Sequence, residues 1–269
     1  MAREAAGLVL LDDALSAIVA AIRTGRTIYD NLRKVAAYLF AVHVPIAGLA
    51  LLPPLLGWPL LLAPIHIVLL ELLIDPTCSI VFELEPPAAD VMRRRPRGRG
   101  EHLFESRRVM FAIVLGLAAL VGPFAIVAFA HLTGSADAIV RTLGFVALIA
   151  ADLALVVATR ARTQRQRERN PAILWMVLAV TVLVAITLAV PWARTLFLFA
   201  ELDLRWIAMA AIVGAVPVLA LSIFGRGSAP RWRAVFSRKA PLARNTACDA
   251  DAAYRRGDAH ALPTSDAIR

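Results

Sequence analysis

The chain has 269 residues, of which 59% are hydrophobic, and its formal net charge is +9. A mean hydropathy of +0.70 is too high for an ordinary soluble domain, in which about half of the residues are apolar. The basic residues lie between long apolar runs, which favours a membrane-topology signal over nucleic-acid binding, and the two cysteines do not have the spacing of a disulfide framework.

Residues 13–34 are predicted to form a helix that continues into the first apolar run. Asp13 is a suitable N-cap, and the Ala, Ile, Val and Arg residues after it favour helix. No helix breaker separates this stretch from the apolar run. We therefore expect a stalk helix that begins in the cytoplasm and enters the bilayer near Val35.

Six segments are long and apolar enough to cross a hydrocarbon core of about 30 Å, which takes roughly 20 helical residues. A very short link near Gly57 predicts that the first two segments form a tight hairpin. The fold class is therefore all-α integral membrane, with a cytoplasmic stalk helix extending into the first span. The six predicted spans cover about residues 35–56, 60–83, 109–130, 139–159, 172–190 and 205–224.

The arginines and lysines predict the orientation. If all six segments cross the bilayer, 26 of the 29 basic residues fall on one side. The positive-inside rule then places both termini in the cytoplasm of a multi-pass protein of the inner (plasma) membrane. Residues 225–269 lack apolar periodicity and are rich in Arg, Ala, Pro and Asp, so they are expected to be a basic, disordered cytoplasmic tail. The lipid bilayer is the expected partner, and nucleic acid is not.

Ionisable residues inside spans are the first candidates for function, because each costs about 2.5–3.5 kcal/mol to insert. Glu71 and Asp75 in the second span are four residues apart, so a helix places both on one face, which Ser79 continues. Pro76 should loosen the helix beside Asp75 and release backbone carbonyls. Carboxylates and freed carbonyls are the oxygen ligands that hard cations prefer. The pattern predicts a cation-binding site, although protonated or internally bonded carboxylates would also fit it.

Other spans could contribute to this site. Asp152 is the only acidic residue in an otherwise apolar run and could complete it. His43, beside Pro45 in the first span, is equally compatible with a ligand, a proton carrier and a packing residue. His66 is a weaker candidate ligand. Glu83 and Glu85, at the end of the second span, are expected to be solvated.

Several stretches of the chain resemble the C-terminal membrane region of P-type cation-transporting ATPases, of the bacterial calcium- or sodium-pump-like class. Residues 2–13 (AREAAGLVLLDD) resemble the last strand of the phosphorylation domain, and 18–34, which end in GRTIYDNLRK, resemble the stalk helix. Residues 71–87 (ELLIDPTCSIVFELEPP) resemble the cation-site helix and its exit loop, and 141–145 (RTLGF) the start of the eighth helix. The resemblance implies that residues 1–34 are a remnant of the phosphorylation domain plus the stalk, and that 35–224 are the last six of ten spans.

Two kinds of departure qualify the resemblance. The family's cation-site helix usually reads Asn-x-x-Thr-Asp, whereas this chain has Glu71, Ile74 and Asp75, and Ile46 stands where calcium pumps carry a glutamate. The transported cation, and hence any metal at these residues, is therefore not assigned. The DKTGT, TGE and GDGxND motifs do not occur, so the chain has no catalytic residues for phosphoryl transfer and no cofactor of its own. ATP and magnesium would be bound by a missing catalytic head.

These observations predict the cation-transport half of a P-type ATPase, truncated or split, that cannot hydrolyse ATP alone and could be completed by a chain carrying the head. Two alternatives stay open. One is an autonomous six-span ion transporter or channel. The other is a regulatory membrane subunit of an intact pump, docking through small residues such as Gly116 and Gly122, for which packing inside the bundle is the simpler interpretation.

Overall fold

The structure is a computed structural model that describes residues 15–83, 85–88, 90–93, 106–163 and 171–227, with the side chains of 15, 74–80, 107–108, 160–163 and 224–227 outside the description. Residues 1–14 of the predicted remnant and stalk (1–34) and residues 228–269 of the predicted tail (225–269) also lie outside the described residues. Within the described part there are seven helices and no strand. They are α1 (Leu15–Leu55), α2 (Pro64–Glu83), α3 (Ser106–Leu132), α4 (Asp137–Thr163), α5 (Pro171–Ala189), α6 (Pro191–Leu196) and α7 (Leu204–Gly227).

Five of the described helices are long and apolar enough to cross a membrane: α1, α3, α4, α5 and α7. The all-helical membrane class predicted from the sequence is therefore confirmed. α2 has 20 residues, of which the stretch Pro64–Leu73 is apolar, so the sixth span stays a prediction.

α1 is one continuous helix of 41 residues that runs through Pro45. At about 1.5 Å per residue it is about 60 Å long, which is twice the thickness of a hydrocarbon core. The sequence predicted that residues 13–34 form a stalk helix joined to the first apolar run, and the described helix is continuous from Leu15 to Leu55. The cytoplasmic position of its first half stays a prediction.

The link between α1 and α2 contains a turn at Gly57, whose φ of 75° suits a residue without a side chain. The second helix begins at Pro64 rather than near residue 60. Pro59 disfavours helix at Trp58, and proline is well suited to the first turn of a helix. α2 is helical from Pro64 to Glu83, so its backbone continues across Pro76 instead of breaking at Asp75.

α4 is the central helix of the bundle. In its most apolar stretch 83% of the residues are buried, whereas the corresponding figure for α5 and for α7 is 22%. Its largest contact is with α7, and it also packs against α3 and α1. Most residues in the apolar stretches of α5 and α7 are therefore not buried.

Glycines allow the closest helix contacts. A Cβ atom at Gly122 on α3 would overlap the backbone of α7 at Val213 and Gly214, and one at Gly116 would lie 2.5 Å from the carbonyl oxygen of Ala41 on α1. Gly116 and Gly122 therefore pack inside the bundle, which is the simpler of the two interpretations of these small residues. They are not free for a docking partner.

Candidate functional site

Asp152 is a buried acidic side chain on the central helix of the bundle. It lies on the central helix α4, is 7% exposed, and neither carboxylate oxygen has a hydrogen-bond partner among the described residues. Burying a carboxylate without partners is costly, and intramembrane acids mark ion or proton pathways by default. The residue that the sequence singled out as the only acid of its span thus stands out in the structure for a second, independent reason.

The Asp152 side chain borders a small cavity of about 20 Å³. The cavity lies where four helices meet, and apart from Asp152 the one polar side chain in its described wall is that of Tyr38 on α1. A volume of this size holds about one water-sized particle. The remaining wall is formed by Leu70 and Leu73 of α2, Ile149 and Leu153 of α4, and Val180 of α5.

Of the two acidic residues of α2 that are predicted to bind a cation, the structure describes the side chain of only one. Glu71 is half-buried, and it is not part of the described cavity wall although Leu70 and Leu73 on either side of it are. The side chains of Asp75 and Ser79 lie outside the described residues. The continuous α2 backbone keeps Glu71 and Asp75 one turn apart on one face.

His43 lies away from this cavity. Its side chain is exposed, and its Nδ1 is 2.8 Å from the carbonyl oxygen of Leu39, one turn earlier on the same helix. Since a carbonyl only accepts, Nδ1 donates in this bond. The structure therefore brings Tyr38, and not His43, from α1 to Asp152.

No cluster of three or more His, Cys, Asp or Glu side chains suited to a metal ion is found in the part of the chain that the structure describes. Asp152 and Tyr38 would supply at most three oxygen ligands to a cation, which is fewer than the six to eight that Ca²⁺ takes. Further ligands would have to come from backbone carbonyls or from α2.

His66 has a different role from the weak ligand considered in the sequence. It is fully buried, its Nδ1 accepts the Ala63 N–H at 2.9 Å, and its Nε2 lies 2.7 Å from the carbonyl oxygen of Phe197. Nε2 must therefore carry the proton and donate it, which makes the ring neutral. His66 joins the start of α2 to the segment between α6 and α7.

Arg141 and Thr142 on α4 also bond to the segment between α6 and α7, and Arg141 bonds in addition to the link between α1 and α2. The guanidinium of Arg141 donates to the carbonyl of Leu61 at 3.2 Å and to that of Leu198 at 3.2 Å. The hydroxyl of Thr142 accepts the Ala200 N–H at 2.8 Å. These contacts join residues that are 57 to 80 positions apart, so the sequence alone gave no signal for them.

At the opposite end of α2 the expectation that Glu85 is solvated is wrong. Its side chain is fully buried, and Oε1 lies 3.6 Å from Nζ of Lys34, which is 8% exposed. Asn31 donates to the backbone carbonyl of Glu85 at 3.2 Å, and Arg26 donates to that of Val91 at 2.9 Å. Glu83 is exposed, as expected. The first half of α1 is thus bonded to the segment that follows α2.

Comparison with known proteins finds similarity to cation-transporting ATPases. A family model described as "Cation transporting ATPase, C-terminus" matches residues 59–226. A calcium-transporting ATPase of Bacillus subtilis is 35% identical over 174 residues, 64% of this chain and 19% of the relative. The cation-transporting ATPase pma1 of Synechocystis is 26% identical over 234 residues, 82% of this chain and 26% of the relative. A sodium/potassium-transporting ATPase subunit alpha-4 of rat is 34% identical over 113 residues, 42% of this chain and 11% of the relative. The chain therefore spans about a quarter or less of the length of these relatives.

Proposed function

Because this chain belongs to the cation-transporting ATPase C-terminus family and is a C-terminal membrane region of a P-type ATPase, we propose that a cation binds in it beside Asp152 on its way across the membrane. The observation that carries the proposal is the Asp152 carboxylate, buried on the central helix and bordering a cavity. A transported ion needs a site that can be reached and left, and the two oxygens of Asp152, which have no hydrogen-bond partner among the described residues, are ligands of the kind that hard cations prefer.

The proposed ligand set combines two helices. Asp152 contributes from α4, and Glu71 and Asp75 contribute from α2, whose residues Leu70 and Leu73 already form part of the cavity wall. Ser79 continues the Asp75 face and is a further candidate. His43 is the weakest member of the predicted set, since its ring lies on the exposed side of α1.

The proposed topology has six spans, with α2 crossing as a partner of α1. The two helices are in contact and are joined by the turn at Gly57. With six spans, 26 of the 29 basic residues lie on the cytoplasmic side of the inner membrane, together with both ends of the chain.

ATP hydrolysis is proposed to take place outside these 269 residues. The motifs for the phosphorylated aspartate, for its dephosphorylation and for magnesium binding do not occur in the sequence, so ATP and Mg²⁺ would be bound by a catalytic head, on a longer chain or on a partner. We propose that α1 transmits the change of state of that head, because it runs unbroken from Leu15 into the bundle.

Cation binding to the purified chain in lipid nanodiscs tests the proposal. Radioactive Ca²⁺ and Na⁺ are titrated separately, because relatives are named for calcium and for sodium transport. We expect saturable binding of one of them, lost in Asp152→Asn and kept in Asp203→Asn. Asp203 is a matched control because its carboxylate is exposed and pairs with Arg205. Binding that is indifferent to Asp152→Asn, or absent for both ions, would overturn the proposal.

A further inference from the structure

We propose that Lys34 and Glu85 are positioning residues for the Asp152 cavity. They hold α1, and with it the Tyr38 side chain that forms the α1 part of the cavity wall, at a fixed distance from α2. The inference rests on the proposed function, because it concerns the same cavity. Neither residue touches the cavity, and both act through Tyr38.

The Lys34–Glu85 pair is a buried ion pair between distant parts of the chain. The Lys34 side chain is 8% and the Glu85 side chain 0% exposed, with 3.6 Å between Nζ and Oε1. Nζ of Lys34 also donates to Oδ1 of Asn31 at 3.2 Å. The amide of Asn31 donates in turn to the backbone carbonyl of Glu85 at 3.2 Å. Lys34, Asn31 and Glu85 thus contact one another in a ring that joins α1 to the segment just after α2.

A second contact, one helical turn deeper, connects this pair to the cavity. Tyr38 follows Lys34 by four residues, and Phe82 precedes Glu85 by three. The two aromatic rings are in contact, with centroids 5.5 Å apart. Tyr38 is 1% exposed and borders the cavity that contains Asp152. A displacement of α1 at Lys34 therefore moves a wall of the cavity.

Stability alone gives no reason for charges at this position. Replacing a buried ion pair by apolar residues of similar size is often neutral or stabilising, whereas removing one partner is strongly unfavourable. We therefore expect the pair to define one relative position of the two helices, a role that buried ionic groups have in some proteins.

The position of the pair along α1 fits this role. Asn31 and Lys34 are the first two buried residues in the described part of α1, and residues 16–25 are mostly exposed. A movement arriving along α1 from its first half meets the bundle at these residues. After the bond from Arg26 to the Val91 carbonyl, Lys34 and Glu85 are thus the first buried ion pair among the described residues that would resist or pass on such a movement.

The test measures two quantities separately on the full chain in nanodiscs: the rate of chemical labelling at Asp152 and the binding of the cation. Dicyclohexylcarbodiimide, an apolar reagent for buried carboxyl groups, is used to label Asp152, and peptide mass spectrometry gives the labelling rate. Glu85→Gln removes the ion pair and keeps the backbone carbonyl that Asn31 bonds. We expect a labelling rate at Asp152 that changes about tenfold, and binding of whichever ion the unmodified chain takes up, Ca²⁺ or Na⁺, that weakens about tenfold, a usual size for coupling between sites.

Three further variants make the result specific. The exchange Lys34→Glu with Glu85→Lys restores opposite charges and should return the labelling rate to near that of the unmodified chain. Glu201→Gln removes the carboxylate of an exposed pair with Arg194, in which Glu201 is 82% exposed, and should change nothing. If Glu85→Gln does not fold, Glu85→Asp lengthens the contact instead and is measured in the same way.

An unchanged labelling rate at Asp152 in Glu85→Gln or Glu85→Asp would overturn the inference, whatever happens to the melting temperature. A fall in melting temperature with the labelling rate unchanged would show that the pair is structural only. If the unmodified chain binds neither Ca²⁺ nor Na⁺, the proposed function fails, while the labelling rate still decides whether Lys34 and Glu85 position the cavity wall.

Discussion

Gly214 on α7 lies directly against the backbone of Ala147 on the central helix α4, so closely that a Cβ atom at position 214 would overlap the Ala147 carbonyl oxygen. The contact explains how α4 and α7 can share the largest interface of the bundle. Small residues allow helix backbones in a membrane to approach and gain van der Waals contact.

Gly214→Ala is therefore expected to lower the free energy of unfolding by about 1–3 kcal/mol, the usual cost of overpacking. Gly25→Ala is the matched control, because Gly25 is also helical and no atom lies within 4 Å of its added Cβ. That control should gain up to about 1 kcal/mol from helix propensity. Thermal unfolding in detergent compares the two, and equal melting temperatures would contradict the packing described for α7.

His66→Ala is expected to destabilise the bundle, because it removes the partners of the Ala63 N–H and the Phe197 carbonyl. Each buried group left without a partner costs about 1–3 kcal/mol. His66→Gln offers one donor and one acceptor and should recover much of the loss in melting temperature. His43→Ala serves as a control, since the His43 ring is exposed and bonds only to its own helix in the described structure. Comparable losses at the two histidines would refute the bridging role of His66.

Arg141→Lys is expected to loosen the segment between α6 and α7 while the bundle stays folded. An ammonium group is a single point and cannot reproduce the planar fork that reaches the carbonyls of Leu61 and Leu198. Limited proteolysis within residues 197–203 should become faster. Arg205→Lys, at an exposed pair with Asp203, should leave the cleavage rate as it was, and equal rates in both variants would argue against the Arg141 contacts.

The number of spans can be tested by cysteine labelling in intact cells, after Cys78 and Cys248 are replaced by serine. Six spans place Leu56→Cys and Thr133→Cys outside, where a membrane-impermeant maleimide reacts, and Arg97→Cys inside, where it does not. If α2 did not cross, Arg97→Cys would react from outside and Thr133→Cys would be protected. That pattern would contradict the proposed topology and the positive-inside argument together.

The features that can be predicted from the sequence are those that depend on residues close together in the chain. The long α1 helix and Asp152 as an isolated acid follow from hydropathy and composition within one segment. Glu85 was misjudged because its burial depends on Lys34, which lies 51 residues earlier in the chain. The role of His66 was missed because its acceptor at Phe197 is 131 residues away. Tyr38 is likewise recognisable as a cavity residue only once four helices are assembled around Asp152.

The central claim is that a cation binds at Asp152 itself, and protection from chemical modification tests it at that residue. The unmodified chain in nanodiscs is treated with dicyclohexylcarbodiimide while Ca²⁺ or Na⁺ is raised, and the modified fraction of Asp152 is read by peptide mass spectrometry. We predict that one of the two ions slows modification of Asp152 in a saturable way. A modification rate at Asp152 that stays constant over the whole range of both ions would contradict the claim.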